Sequence, residues 1–301
     1  MIRKLVKKFL VSLQPNLLTR QNQKQNMEKT KILFIQQEIT PYLNESHMGV
    51  IGRYLPQGIQ EKNREIRTFM PRFGNINERR NQLHEVIRLS GMNLIIDDTD
   101  HPLIIKVASI QQARMQIYFI DNEDYFQRKF TFTDKNEKFF KDNDERSIFF
   151  SRGVIETVKK LGWSPDIIHC HGWLTSLVPL YIKKAYKDNP LFTDTKVILS
   201  IYDDDFKETL NKDFATKIKL EGITTKDLKY YKNPTYVNIL KAAIDFSDAV
   251  ILGSPKINRE LEGYVKESEK PYLPFQSMDK YIEAFSDFYD EVLVDASVTV
   301  D

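Results

Sequence analysis

Two histidines separated by one residue form the part of this sequence best suited to chemistry. His169 and His171 follow an apolar run, and the alternation of a strand places them on one face with Cys170 on the other. A turn at Gly172 and a helix-like segment over 175–184 come next. Strand, short loop and helix form the repeating unit of parallel α/β sheets, which bind ligands where their strands end. The two imidazoles are therefore predicted at a ligand-binding edge.

Metal chemistry is one interpretation of these side chains, and hydrogen bonding is the other. Two histidines at this spacing can bind zinc, but a third ligand is needed and none is suitably spaced nearby. The carboxylates of Asp203, Asp204 and Asp205 can hold a hard cation, although capping a helix N-terminus is the commoner role. We therefore predict no metal site and no cofactor, and a hydrogen-bonding role for the two histidines.

The elements that must position these side chains follow a β-α-β pattern. Buried-strand runs at 31–35 and 66–70 flank a helix at 48–61, and two further runs lie at 196–201 and 249–252. Additional short strands are expected at 83–89, 94–96, 101–105 and 116–120. The predicted fold class is α/β: a single Rossmann-like domain with a parallel sheet and extra strands.

Three segments are predicted along the chain. Residues 1–29 form a basic leader, 30–265 the domain, and 266–301 a C-terminal tail with one amphipathic helix. The leader is interpreted as a disordered extension or as sequence upstream of a true start at Met27, with a weak amphipathic surface anchor as the alternative. Its apolar run, 9–13, is much shorter than the roughly 20 residues that span a bilayer. No membrane span is predicted.

Charge and cysteine content exclude some classes of partner. The chain has 44 Lys and Arg against 42 Asp and Glu, a net charge of +2, so no overall field favours nucleic acid. Cys170 is the only cysteine, so no disulfide forms within the chain. A reducing compartment, the cytoplasm, is the expected location.

The histidine segment resembles one known family. Residues 162–173 are similar to the G-W-x-P-D-I-I-H-x-H-D-W segment of starch and glycogen synthases of the ADP-glucose type. The family's aspartate is Gly172 here, and its next histidine is Leu174. This resemblance implies the N-terminal half of a GT-B glycosyltransferase, whose family reaction transfers glucose from ADP-glucose to an α-1,4-glucan.

A second stretch resembles the family's E-x-x-P-(F/Y)-x-K-x-G-G loop. Glu38 and Tyr42 match it, but the lysine is replaced by Asn44 and the glycine pair by Ser46 and His47. Glycines allow a backbone to approach a pyrophosphate, and lysine gives it a positive charge. Binding of a nucleotide sugar should therefore be weakened. His47 as a replacement cation is an alternative, although a free imidazole is mostly uncharged at pH 7.

The resemblance also suggests site residues. His171 and Glu38 are the candidate catalytic residues. The candidate substrate-binding residues are His169, His171, Trp173, Tyr42, Asn44 and His47. An aromatic-rich stretch is another candidate for stacking on sugar rings, although core packing is favoured for its members Tyr125, Phe126, Phe130, Phe132, Phe139 and Phe140.

Three functional hypotheses remain open at this stage. The first is a starch or glycogen synthase-like glycosyltransferase that is weak or inactive alone, because the family's donor-binding domain has no counterpart in this sequence. The second is a glucan-binding or regulatory pseudoenzyme. The third is a half-enzyme that acts with a separate donor domain or a full-length synthase. The candidate partners are thus α-glucan, ADP-glucose and a synthase.

Overall fold

The computed structural model describes residues 29–294. The predicted leader up to residue 28 and the predicted tail from residue 295 lie outside this part of the chain. The described residues from Lys31 onward belong to one compact unit, which includes the part of the tail up to Val294. Among residues 29–294, no helix is both long and apolar enough to cross a bilayer.

A ten-stranded sheet forms the centre of this unit. Its order is β10-β9-β8-β7-β1-β2-β6-β5-β3, with β4 paired to β5. The strands from β10 to β6 in this order run parallel, whereas β3, β4 and β6 pair with β5 antiparallel. The bounds are β1 Lys31–Gln36, β2 Glu65–Pro71, β3 His84–Glu85, β4 Met92–Ile96, β5 Thr99–Ile110, β6 Met115–Asp121, β7 Ile167–His171, β8 Lys196–Ile201, β9 Ala249–Leu252 and β10 Tyr272–Leu273. The predicted α/β fold with a parallel sheet and extra strands is confirmed.

Helices cover both faces of the sheet. Their bounds are α1 His47–Glu61, α2 Glu123–Phe126, α3 Asn143–Leu161, α4 Leu177–Leu180, α5 Phe214–Lys217, α6 Tyr236–Phe246, α7 Arg259–Glu267 and α8 Tyr281–Val294. Short 3-10 turns occupy Gln111–Ala113, Trp173–Thr175 and Tyr230–Lys232, and a π-helical turn occupies Tyr181–Ala185.

The two faces have separate apolar layers. On one face, α1 and α8 pack on buried side chains of β1, β7, β8 and β9. On the other face, α3 and α6 pack on the alternate residues of the same strands. This alternation follows from the period of two in a strand, and it places His169 and His171 on the α1 and α8 side with Cys170 opposite.

Two predicted elements differ from the structure. The predicted strand over 83–89 is wrong, because only His84–Glu85 pairs with β5 and the chain then turns, with Leu89 N–H bonding to the Val86 carbonyl. Ser254 followed by Pro255 predicts a helix start, with a cap and a first-turn proline, but this prediction is wrong because no helix begins there. Helix α7 begins at Arg259, where the Asn258 side chain accepts from the Glu260 N–H as its cap.

Candidate active site

His169 and His171 lie side by side at the carboxyl end of β7. Their ring centroids are 3.8 Å apart, and both side chains are fully buried. His169 Nε2 is 2.7 Å from Ser200 Oγ, and His171 Nδ1 is 2.8 Å from the Tyr202 hydroxyl. The expected hydrogen-bonded arrangement therefore exists, and β8 supplies Ser200 while Tyr202 follows it.

Helix α8 covers the imidazole of His169. The Tyr289 hydroxyl lies 2.7 Å from His169 Nδ1, and the Phe285 ring centroid is 5.8 Å from that of His169. Burial lowers the pKa of His169 well below its usual value, with the neighbouring His171 adding to the effect. Burial also lowers the pKa of His171 to about 3. Both imidazoles are therefore neutral at pH 7 and have no surface open to a ligand in this structure.

Gly172 turns the chain directly after the histidines. Its backbone angles, φ +84° and ψ +164°, fall in a region that only glycine adopts readily. A Cβ atom there would lie 2.7 Å from Gln37 Oε1, and this same oxygen accepts the Leu174 N–H at 3.0 Å. Gln37 thus occupies the space beside Gly172, where the family resemblance would put an aspartate side chain.

Restoring that aspartate is expected to damage the fold. Gly172→Asp should lower the free energy of unfolding by about 2 kcal/mol, because an L residue is strained at this φ and ψ. Urea denaturation measures the change. Gly263→Ala is the matched control. Apart from its chain neighbours and the backbone of its own helix, no atom lies within 4 Å of its added Cβ, and we expect a gain of about 0.5–1 kcal/mol. Unchanged stability in Gly172→Asp would contradict the strain argument.

The Trp173 side chain is buried in the core beside the carboxyl edge. Its side chain is 2% exposed, and its ring packs against Phe132, Phe139 and Phe206 at centroid distances of 4.9, 6.1 and 5.0 Å. In this structure the ring is part of an aromatic cluster of the core and is not open to a sugar. The backbone angles of Gly172 set the direction in which the chain continues to Trp173.

Carboxylates follow β1 and β8 at this edge. Asp204 Oδ2 accepts the Trp173 N–H at 3.0 Å and Oδ1 accepts the Tyr236 hydroxyl at 2.8 Å, so Asp204 caps the 3-10 turn Trp173–Thr175. Burial raises the pKa of Asp204 to about 6, although these two hydrogen bonds lower it. The charge of Glu38 contributes to the rise. Within the described residues, no group of three or more histidine, cysteine or acidic side chains could hold a metal ion.

Glu38 and His47 lie at the start of α1. The half-buried Glu38 accepts the Ser46 hydroxyl at 2.6 Å, and Ser46 Oγ in turn accepts the Gly49 N–H at 2.9 Å as the helix cap. His47 Nε2 lies 2.9 Å from the Gly253 carbonyl after β9. A cavity of about 340 Å³ opens here, lined by Glu45, Ser46, His47, Val50 and Met278.

Tyr42 and Asn44 line a different and larger cavity of about 650 Å³. No sequence pattern marks its other polar residues, although three of them are the asparagines of the segment NINERRN, residues 75–81. The cavity is lined by Pro41, Tyr42, Leu43, Asn44, Asn75, Asn77, Arg80, Asn81, Lys129, Phe130, Thr131 and Thr133. The predicted site residues thus divide among the buried histidine pair, the start of α1, this cavity and the core.

Comparison with known proteins identifies the family. A family model described as the starch synthase catalytic domain matches residues 31–269. The chain belongs to this family. Glycogen synthase from Chlorobaculum tepidum is 33% identical over 273 residues, which cover 87% of this chain and 52% of that protein. Glycogen synthase from Chlorobium limicola is 40% identical over 173 residues, covering 57% and 35%.

A solved relative confirms the starch synthase fold. The catalytic domain of starch synthase IV from Arabidopsis thaliana, bound to ADP and acarbose, superimposes with a TM-score of 0.67 at 18% identity. The match covers 84% of this chain and 53% of that one. The chain therefore spans between a third and about half of the length of these relatives, and its α/β unit matches part of a GT-B glycosyltransferase catalytic domain.

Proposed function

We propose that this protein acts in α-glucan synthesis as the acceptor-binding part of a starch or glycogen synthase-type glycosyltransferase. Membership of the starch synthase family supports a glucan and a nucleotide sugar as the substrate classes. The family resemblance gives the reaction as glucose transfer from ADP-glucose to an α-1,4-glucan. Under this proposal the chain binds the glucan, and its own transfer activity is weak or absent.

The charge of the carboxyl edge carries this proposal. The loops after β1 and β8 place Glu38 and Asp204 there, and the histidines between them are neutral. A glucan is uncharged, and its hydroxyl groups can donate hydrogen bonds to carboxylates, which are among the stronger kinds in proteins. A diphosphate near the same carboxylates is repelled. The edge thus favours the neutral acceptor over the charged donor.

The start of α1 also favours a neutral acceptor over a charged donor. Helix N-termini commonly bind phosphate through free N–H groups and the helix dipole. Here the Ser46 side chain caps α1 at Gly49 N–H, and the carboxylate of Glu38 bonds to Ser46. A negative group of the protein itself therefore lies where a phosphate would be attracted.

Glycogen binding is the first expected result. In native gel electrophoresis, glycogen in the gel should retard the protein, and Glu38→Gln should weaken this retardation about tenfold because a charged hydrogen bond is lost. Gln has the shape of Glu and can still bond to Ser46, so the fold should be kept. The exposed Glu221, on a turn between α5 and α6, gives the control Glu221→Gln. Mobility that does not change with glycogen would contradict glucan binding.

We propose that a donor-binding partner completes the transfer. This second part of the proposal is favoured by the acidic carboxyl edge, because the carboxylates of Glu38 and Asp204 repel a diphosphate. The purified chain should extend glucan with ADP-glucose far more slowly than ordinary enzymes, which turn over about once per second or faster. Extension at such ordinary rates by the chain alone would contradict the proposal. Co-purification with a full-length synthase would support it.

A further inference from the structure

The 650 Å³ cavity lies between three loops that are fixed by contacts elsewhere. Its walls come from 41–44, 75–81 and 129–133. The second and third loops cross at Gly74, where an added Cβ would lie within 2.7 Å of backbone atoms of Gln127 and Arg128. Only glycine fits this crossing, so the two loops are held side by side.

Buried charges hold the walls in place. Arg146 is fully buried and donates to the Thr131 carbonyl at 2.6 Å and to the Tyr125 carbonyl at 2.8 Å. On the opposite wall, Glu78 pairs with Arg72 and, at 2.7 Å, with Lys106. Because both loops are tied to the core, a ligand would find the cavity largely formed.

The charges of the cavity lining have one sign. Arg80 and Lys129 are exposed, and neither takes part in an ion pair within the part of the chain that the structure describes. None of the described lining residues carries a carboxylate. This contrasts with the acidic carboxyl edge near Glu38 and Asp204, and it favours a ligand with a negative charge.

The uncharged lining fits a sugar ring. Phe130 is 45% exposed, whereas the other members of the aromatic stretch are buried or partly buried. An exposed ring beside a cavity offers a stacking surface for the apolar face of a sugar. Amides both donate and accept hydrogen bonds, as neighbouring hydroxyl groups of a sugar do. The amides that line the cavity are those of Asn44, Asn75, Asn77 and Asn81.

We infer that this cavity binds the phosphate ester of a hexose, with Arg80 and Lys129 on the phosphate and Phe130 on the sugar ring. Either feature alone would be ambiguous, since two free cations suit any small anion and a ring with amides suits any sugar. Together, in a cavity of a size usual for small ligands, they select a ligand that has both parts. The lining of this cavity does not include Glu38 or Asp204, the two carboxylates of the proposed glucan-binding edge.

Isothermal titration calorimetry of the full chain with glucose 1-phosphate, inorganic phosphate and maltotriose tests the inference. Glucose 1-phosphate should bind at least tenfold more tightly than the other two. Arg80→Gln and Lys129→Gln should each weaken it about tenfold. Phe130→Ala should weaken glucose 1-phosphate and leave inorganic phosphate unchanged. The exposed neighbour Arg79, which does not line the cavity, gives the matched control Arg79→Gln.

Three outcomes would overturn the inference. Equal binding of glucose 1-phosphate and inorganic phosphate would show an unselective anion site. If maltotriose binds as tightly as glucose 1-phosphate, and Arg80→Gln and Lys129→Gln do not affect its binding, the cavity is a site for neutral sugars. Binding of glucose 1-phosphate that is the same in every variant as in the unaltered protein would place the ligand elsewhere. Retardation by glycogen should persist in Arg80→Gln and Lys129→Gln, so failure of this inference can be told from failure of the proposed function.

Discussion

Acidification from pH 7 to pH 5 is expected to lower the free energy of unfolding by about 2 to 3 kcal/mol. In the folded protein His169 and His171 stay neutral, because burial lowers the pKa of both and brings that of His171 to about 3. In the unfolded chain they take up protons below about pH 6.5. The unfolded state therefore binds more protons, and stability falls as the pH falls. Asp204, with a pKa of about 6, acts in the opposite direction by roughly 1 kcal/mol.

Urea denaturation at pH 7, 6 and 5 measures this loss. His171→Asn is the informative variant, because Asn is neutral throughout and can keep a bond to the Tyr202 hydroxyl near the position of Nδ1. It should remove about 2 kcal/mol of the pH dependence, the share of one histidine over this interval. His84, which is exposed, gives the control His84→Asn. Identical pH dependence in His171→Asn and the unaltered protein would contradict the role of burial.

Replacing Arg146 should cost about 3 kcal/mol of stability. Its guanidinium donates to the carbonyls of Tyr125 and Thr131 and, at 2.6 Å, to Asn143 Oδ1. Arg146→Met fills a similar volume but leaves these buried acceptors without a donor. Burial lowers the pKa of Arg146 to about 9, because the buried charge is poorly solvated. Removing that charge therefore offsets part of the lost stability. We expect the lost hydrogen bonds to dominate.

Thermal unfolding and hydrogen exchange together test this expectation. The amides of the 129–133 loop should exchange faster in Arg146→Met, because the loop is tied to the core through Arg146. The exposed Arg259 gives the control Arg259→Met, for which little change is expected. If the loop keeps its protection in Arg146→Met, the guanidinium does not hold that wall of the cavity.

The strands could be predicted closely from the sequence because they are buried on both faces. The apolar runs at 196–201 and 249–252 are strands with those bounds, β8 and β9. Alternation also placed His169 and His171 on one face of β7. Both inferences depend only on the pattern of apolar and polar residues within a few neighbouring positions, which can be read from the sequence.

The surroundings of the candidate site could not be predicted in the same way. The burial of His169 depends on Tyr289, which is 120 residues away in the chain. The direction of Trp173 depends on the backbone angles at Gly172, and the sequence does not show which of its many allowed angles a glycine adopts. The large cavity depends on Gly74, where two loops cross, and the amide segment beside it has no periodic pattern to mark it.

The position of α8 has a consequence for synthesis on the ribosome. This helix follows every strand that it covers, and its Tyr281, Phe285 and Tyr289 side chains complete the apolar layer over β1 and β7. A nascent chain that has emerged only as far as β10 exposes that face of the sheet to water. Chaperone demand during translation should therefore be high until α8 leaves the exit tunnel, and slower translation of the segment between β10 and α8 should increase aggregation.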